Sequence, residues 1–175
     1  MAKRTNQLAQ KQARTGDDSK AIHSDMTIGT ANDQIAVAPG QLQKKWTEND
    51  RNYFHYQSTK PIINFYPITS ARYELLTDKW LPENDSLESP IELEIYYHQG
   101  HEYNLDRMME GMKQSFTYYN QHFGAYPYQQ MRIVETPRYL NRAQSFPTMV
   151  TYSESMGFIM DIDDTKEIDL SLIHI

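Results

Sequence analysis

Residues 132–158 read RIVETPRYLNRAQSFPTMVTYSESMGF, and the rest of the chain is organised around this stretch. It begins as a short apolar strand at Ile133 and Val134, which breaks at Thr136-Pro137. A polar loop follows, and then a second strand from Met149 to Tyr152. Two strands around a polar loop can build a cleft, but the same pattern is typical of an ordinary hairpin-like connection in a core sheet. The residues alone leave both interpretations open.

The composition describes a protein with a core and several Tyr-rich strands. Of its 175 residues, 39% are hydrophobic and 12% aromatic, with 13 tyrosines, which is too many aromatic residues for a disordered chain. The net charge of -6 argues against a nucleic-acid partner, because phosphate contacts need clustered lysines and arginines. The chain has no cysteine, which excludes disulfides and thiolate metal sites. No apolar run approaches the length of a membrane span.

The first half predicts an antiparallel β region. Residues 1–25 are polar and lack an apolar face, so we expect a disordered or loose arm. Within 26–78, short β-type runs alternate with turn signals such as Pro39-Gly40. The predicted strands are Met26–Ile28, Gln34–Ala38, Arg51–Gln57, Ile62–Tyr66 and Ala71–Leu76. Residues 79–90 include a polar run with proline at both ends, which predicts a linker between two domains.

The second half opens with a strand and a helix. From Ile91 to Tyr97 apolar and acidic residues alternate, which predicts a strand with one buried face. Asn104 is a suitable N-cap, and Gly124 is a suitable end, for a helix between them. Its apolar positions form one stripe with a 3.6-residue period, namely Leu105, Met108, Met109, Met112, Phe116 and Tyr119. We interpret that stripe as core.

The sequence contains only weak candidates for metal-binding or catalytic residues. His98 and His101 are three residues apart, but they follow a strand and flank Gly100, so we interpret them as exposed histidines of a turn rather than metal ligands. The acidic run Asp161–Asp164 lacks the glycine and distal glutamate of a calcium loop. Glu135 and Glu154 flank the central loop and form a possible acid–base pair, but nothing in the sequence fixes their distance. We therefore predict no metal ligand and assign no catalytic residue.

The stretch from Tyr118 to Phe158 resembles the opening of the catalytic domain in the alanyl-aminopeptidase family of zinc metallopeptidases, the gluzincins. The family's Phe-Gly…Tyr-Pro phrase is matched by Phe123, Gly124, Tyr126 and Pro127, and its proline-ended strand by Arg132 to Pro137. Its Ile-Thr-Tyr-x-Glu ending is matched by Val150, Thr151, Tyr152 and Glu154. Counting back from that ending places the family's Gly-Ala-Met-Glu-Asn substrate segment on Arg142, Ala143, Gln144, Ser145 and Phe146.

The substrate segment departs from the family at one position. In the family its glutamate binds the free α-amine of the substrate, whereas here Ser145 carries no charge to pair with an ammonium. Gln144 can accept a hydrogen bond but cannot form that ion pair. The backbone of the segment can still pair with an extended peptide as an added strand. The resemblance therefore implies peptide binding, with N-terminal specificity in doubt.

A bacterial branch of the family, fused to ABC-transporter permease segments, has similar phrases. They are DQIAVAPG (33–40), RNYFHY (51–56), HEYNLDRM (101–108) and AQSFP (143–147). The resemblance implies an α+β fold, in which residues 26–78 end an antiparallel β-saddle domain and residues 91–169 are the incomplete start of a thermolysin-like domain. For the parent protein it implies zinc, a peptide substrate and attachment to the bacterial inner membrane through segments absent here.

The family's H-E-x-x-H motif is absent from the sequence. The resemblance implies that this motif should start shortly after Asp169, where the sequence has a single histidine, His174, with no glutamate after it. We therefore predict that the chain, truncated before the zinc motif, holds no catalytic zinc and is inactive by itself. Residues 170–175 (LSLIHI) resemble a translated transposon end and are predicted to be a non-native tail. Two hypotheses follow: a piece of a membrane-associated zinc peptidase, or a non-catalytic peptide-binding or structural domain of a transporter.

Overall fold

The computed structural model describes residues 20–82, 89–139 and 141–162. Most of the expected arm, part of the expected linker and the whole expected tail therefore lie outside the described residues. The strands are β1 (Asp25–Ala31), β2 (Ile35–Val37), β3 (Gln41–Glu48), β4 (Arg51–Gln57), β5 (Thr69–Ala71), β6 (Tyr73–Trp80), β7 (Ile91–His98), β8 (Gln130–Thr136), β9 (Ala143–Phe146) and β10 (Met149–Ser153). Helix α1 (Leu105–Phe123) joins β7 to β8, and a π-helical turn (Glu154–Phe158) follows β10.

The first strands form two small antiparallel sheets. In one, β4 lies between β1 and β3, and in the other β2 pairs with β5. Along β4, Phe54 and Tyr56 are buried while His55 between them is half-buried, as expected where one face of a strand meets a core. Ala36 and Ala38 pack against those two rings.

The remaining strands form one five-stranded sheet in the order β6-β7-β8-β10-β9. Strand β8 runs parallel to both of its neighbours, β7 and β10. Parallel neighbours need a crossover connection, and α1 provides it between β7 and β8. The predicted helix is confirmed, and so is the first part of its apolar stripe, since Leu105, Met108, Met109 and Met112 are buried against the sheet. The core interpretation is wrong for Tyr119, which is exposed. No helix among the described residues is long and apolar enough to cross a membrane. The α+β class is confirmed.

Two strand predictions are wrong, and one strand lacks a predictive pattern. The predicted strand Ala71–Leu76 does not belong to the first set, because β6 pairs with β7 along its whole length, from Tyr73↔His98 to Trp80↔Ile91. Ile62–Tyr66 forms no strand and contributes one isolated bridge, Ile22↔Ile62. Strand β3 was not predicted because QLQKKWTE has few apolar residues, and its pairing with β4 supplies the hydrogen bonds that its pattern does not reveal. The division into domains stays a prediction.

Asn104 begins the helix without capping it. Its side chain makes no capping hydrogen bond, and Nδ2 instead donates to the carbonyl oxygens of Gly157 at 2.6 Å and Met160 at 2.8 Å. The predicted helix start is confirmed, but the predicted capping role is wrong. The side chain ties the start of α1 to the segment that follows β10.

Tyr56 gives the fold a pH dependence on the alkaline side. Burial raises the pKa of Tyr56 to about 12, and its hydroxyl donates to the carbonyl oxygen of Ala36 at 2.9 Å. An unfolded tyrosine ionises near pH 10, so the unfolded state loses this proton first as the pH rises. The raised pKa of Tyr56 should contribute fully to the free energy of unfolding below about pH 10. This contribution should be lost as the pH rises from about 10 to 12, at about 1 kcal/mol per pH unit.

The check is urea unfolding across that pH range. The variant Tyr56→Phe has no ionisable hydroxyl, so its stability should fall less steeply than that of the native chain. The exposed Tyr139 provides the control, because Tyr139→Phe should leave the slope unchanged. Equal slopes for the native chain and Tyr56→Phe would contradict the prediction.

Candidate functional site

The predicted substrate segment is an edge strand rather than a loop. Ala143–Phe146 form β9, which pairs antiparallel with β10 and is the last strand of the five-stranded sheet. Strands β8 and β10 are parallel neighbours, so the hairpin in this region joins β9 to β10 and not β8 to β10. The sequence does not predict β9 as a strand, because residues 143–146 show no alternation of apolar and polar residues.

The register shows which backbone groups of β9 point away from the sheet. Ser153 donates its N–H to the carbonyl oxygen of Arg142 at 3.2 Å, which makes Arg142 and Ser153 a hydrogen-bonded pair. Hydrogen-bonded and non-hydrogen-bonded pairs alternate along an antiparallel ladder. Ala143 and Ser145 therefore direct their N–H and C=O groups outward, whereas Gln144 directs its own toward β10.

The two faces of β9 have different surroundings. Ser145 lies opposite Val150 and borders a groove of about 300 Å³ between the sheet and the second half of α1. On the other face, the Phe146 ring lies 5.7 Å from the ring of Phe65. Successive strand residues point to opposite faces, so Gln144 and Ser145 cannot face a ligand together from one side. The groove is lined by Phe116, Tyr119, Phe123, Ile133, Ser145 and Val150, among others.

A second polar cluster lies where β7 and β8 end. Glu135 is fully buried, and its Oε1 contacts Nδ1 of His101 while its Oε2 accepts the backbone N–H of His98 at 2.6 Å. The side chains of His98 and His101 are 33% and 28% exposed, so the interpretation of two exposed histidines is wrong. Sequence spacing could not show this, because Glu135 is 34 residues from the nearer histidine.

The two glutamates of the hypothetical acid–base pair have different partners. Glu135 interacts with the two histidines, whereas Glu154 Oε1 accepts the backbone N–H of Arg138 at 3.1 Å. The Glu154 contact fastens the loop after β8 to the π-helical turn. Neither contact assigns a proton-transfer role, so the pairing stays a hypothesis.

No protein-family model matches the chain, and no curated protein matches it in sequence. Solved structures do match in fold. The M1 zinc metallopeptidase from Deinococcus radiodurans aligns with a TM-score of 0.67 at 12% identity, over 78% of this chain and 31% of that one. A form of the same enzyme bound to a Tyr-Ser-Ala substrate aligns with a TM-score of 0.66 at 12% identity, over 77% of this chain and 30% of that one.

An aminopeptidase from another bacterium has the same fold. Legionella pneumophila aminopeptidase A, in complex with aspartic acid, aligns with a TM-score of 0.69 at 12% identity, over 78% of this chain. The match covers 16% of the Legionella chain, so this chain spans less than a third of either bacterial enzyme. At this identity the likeness shows the fold alone.

Proposed function

We propose that this chain, whose fold is that of M1 zinc metallopeptidases, forms one wall of a peptide-binding cleft. The observation that carries the proposal is that the segment matched to the family's substrate segment is the edge strand β9. An extended peptide can lie along such an edge and extend the sheet by one strand. Ala143 and Ser145 would supply the hydrogen bonds, and the groove beside Ser145 would take an apolar side chain.

The catalytic zinc of the fold family does not fit the residues of this chain. The sequence has no H-E-x-x-H motif, and His174, the one histidine after Asp169, has no glutamate after it. We therefore assign the chain binding and not hydrolysis. In the enzyme hypothesis, zinc and the remaining catalytic groups belong to other parts of a membrane-associated parent, for which the support is the resemblance of the sequence phrases.

Ser145 favours a second candidate function. A peptidase-like domain without a negative charge at this position lacks the group that pairs with a substrate's α-amine. The alternative is a non-catalytic peptide-recognising domain attached to an ABC-type permease. Both hypotheses share the edge-strand contact, and they differ in whether the complete protein releases cleaved peptide.

Peptide binding at β9 can be tested with the backbone variant Ser145→Pro. Proline removes one outward N–H and leaves the ladder to β10 intact, so binding should weaken about threefold to tenfold. Ser145→Ala keeps the N–H and should bind like the native chain. The measurement is an NMR titration with an extended alanine–valine hexapeptide, followed at the amide signals of β9.

The same titration tests recognition of the α-amine. Because Ser145 is uncharged, acetylated and free-amine forms of the hexapeptide should bind equally. Signal changes confined to residues remote from β9, or equal loss of binding in Ser145→Ala and Ser145→Pro, would overturn the edge-strand proposal.

A further inference from the structure

The cluster of His98, His101 and Glu135 is built by the backbone. Parallel strands β7 and β8 end at the same edge of the sheet, which brings His98 beside Glu135. Gly100, with φ of 90°, turns the chain back, and His101 donates its N–H to the carbonyl oxygen of His98 at 3.0 Å. The turn thus holds the second imidazole over the same carboxylate.

The donor atoms of the cluster converge on one point. One atom from each of the three side chains can be chosen so that all lie within 4.8 Å of one another. Nδ1 of His101 and Nδ1 of His98 both face the Glu135 carboxylate, the latter at 3.2 Å from Oε2. A single ion with bonds of about 2 Å can reach all three after small side-chain adjustments.

Nδ1 of His98 is buried, and none of the residues that the structure describes forms a hydrogen bond with it. It lies 3.2 Å from Oε2 without a hydrogen bond to it, and Oε2 already accepts the backbone N–H of His98. A buried polar atom without a partner is costly, and a bound cation would satisfy it. The same cation would compensate the charge of the fully buried Glu135 carboxylate.

We propose that His98, His101 and Glu135 bind a divalent transition-metal ion of the Zn²⁺ class. Two imidazole nitrogens and one carboxylate are a donor set that Zn²⁺ accepts, with a fourth position open to water. Both imidazole side chains are partly exposed, at 33% and 28%, although Nδ1 of His98 is itself buried. The bound ion would link the turn between β7 and α1, through the two histidines, to Glu135 in β8.

This site is independent of the proposed peptide binding at β9. Two of its ligands come from the end of β7 and the turn after it, and the third comes from β8. It also revises the expectation that this chain holds no metal. Assigning a metal to the cluster explains why a carboxylate is buried between two imidazoles.

The test is metal binding by the whole chain, purified without a histidine tag and stripped with a chelator. Zn²⁺ is titrated in competition with a chromophoric chelator, and Co²⁺ is used as a spectroscopic substitute. We expect one Zn²⁺ per chain and a Co²⁺ absorption spectrum with the intense bands of four-coordinate geometry. Thermal unfolding should shift to higher temperature with added Zn²⁺, because the ion binds the folded state.

The variants separate this site from adventitious binding. His101→Ala should weaken Zn²⁺ affinity at least about tenfold, since removing a direct ligand costs at least as much as removing its supporting partner. His55→Ala is the matched control, because His55 is a partly exposed histidine that pairs with Asp25 outside the cluster. Its affinity should equal that of the native chain.

His98→Phe provides a second variant that fills the same space, in case His101→Ala does not fold. Circular dichroism establishes folding before each titration. Absence of stoichiometric Zn²⁺ binding would overturn the proposal, as would unchanged affinity in a folded His101→Ala or His98→Phe variant. Equal loss of affinity in His55→Ala would also overturn it.

Discussion

Replacing Arg132 with methionine is expected to lower the free energy of unfolding by about 3–5 kcal/mol, because it breaks a buried ion pair from one side. Arg132 is 2% exposed, and its Nε lies 2.5 Å from Oε2 of Glu94, which is itself 20% exposed. Burial acts to lower the pKa of Arg132, but the Glu94 carboxylate raises it, and the net shift is upward. The guanidinium is therefore charged, and its removal leaves Glu94 without a charged partner, with only the hydroxyl of Tyr96 donating to Oε2 at 3.2 Å.

Arg132 also connects two sheets. Nη1 donates to the carbonyl oxygen of Gly40 at 2.6 Å, and Gly40 donates its own N–H to Oγ1 of Thr148 at 3.1 Å. Gly40 lies in the turn before β3, whereas Arg132 and Thr148 belong to the five-stranded sheet region. The substitution therefore also leaves a buried carbonyl without a donor, which adds to the loss.

The control for Arg132→Met is Arg72→Met. Arg72 makes an ion pair with Asp33 at the same Nε–oxygen distance of 2.5 Å, but its side chain is 76% exposed. An exposed pair contributes about 0–1 kcal/mol, so this loss should be small. Urea unfolding with linear extrapolation measures both variants. Similar losses for the two would show that burial does not govern the Arg132 pair.

The double variant Arg132→Met/Glu94→Leu separates the two causes of the loss. It removes both charges, so part of the stability should return compared with Arg132→Met alone. The loss in free energy of unfolding that remains in the double variant measures the contacts of Arg132 with the turn at Gly40. No recovery at all would mean that the Glu94 pair is not the source of the loss.

Replacing Phe158 with alanine is expected to cost about 3–5 kcal/mol, because it leaves a cavity in the main core. Phe158 is 0% exposed and packs in the cluster between α1 and the five-stranded sheet, with its ring 6.3 Å from that of Tyr152. Asn104 holds the backbone on both sides of this ring through Gly157 and Met160. The backbone is therefore fixed, and the site cannot collapse to fill the space.

The neighbouring Ile159 is the matched control for this substitution. It is 36% exposed, and Ile159→Ala should change stability by no more than about 0.5–1 kcal/mol. Both variants are measured by urea unfolding. If Phe158→Ala lost no more than Ile159→Ala, the segment after β10 would not contribute to the core.

Periodicity was the part of the sequence that predicted structure correctly. The structure confirms the stripe of α1 from Leu105 to Met112 and the alternation of β7 from Ile91 to Ile95. The β7 alternation fails at Tyr96, which is buried on the face expected to be unburied, because a second cluster covers that face. Strand β3 has no such pattern, because it lies at a sheet edge and is held by backbone pairing with β4. Its existence depends on a partner and not on its own residues.

The candidate sites depended on contacts that no local pattern shows. Resemblance placed the substrate segment on Arg142–Phe146, and the structure then showed its edge position. The His98–His101–Glu135 cluster had only a spacing of three as its signal, and the same spacing is common in ordinary turns. The missing part was a carboxylate from the next strand of the sheet, which only the β7–β8 pairing reveals.

The open edge at β9 also determines how the chain behaves at high concentration. An unpaired strand edge can template pairing with an identical chain, and Ala143–Phe146 carry no charge to oppose this. The edge is four residues long, with Arg142 before it and Pro147 after it. A cation and a residue without an N–H are common protections against edge-to-edge growth. Self-association through β9 should therefore stop at weak, reversible dimers instead of extending into fibrils.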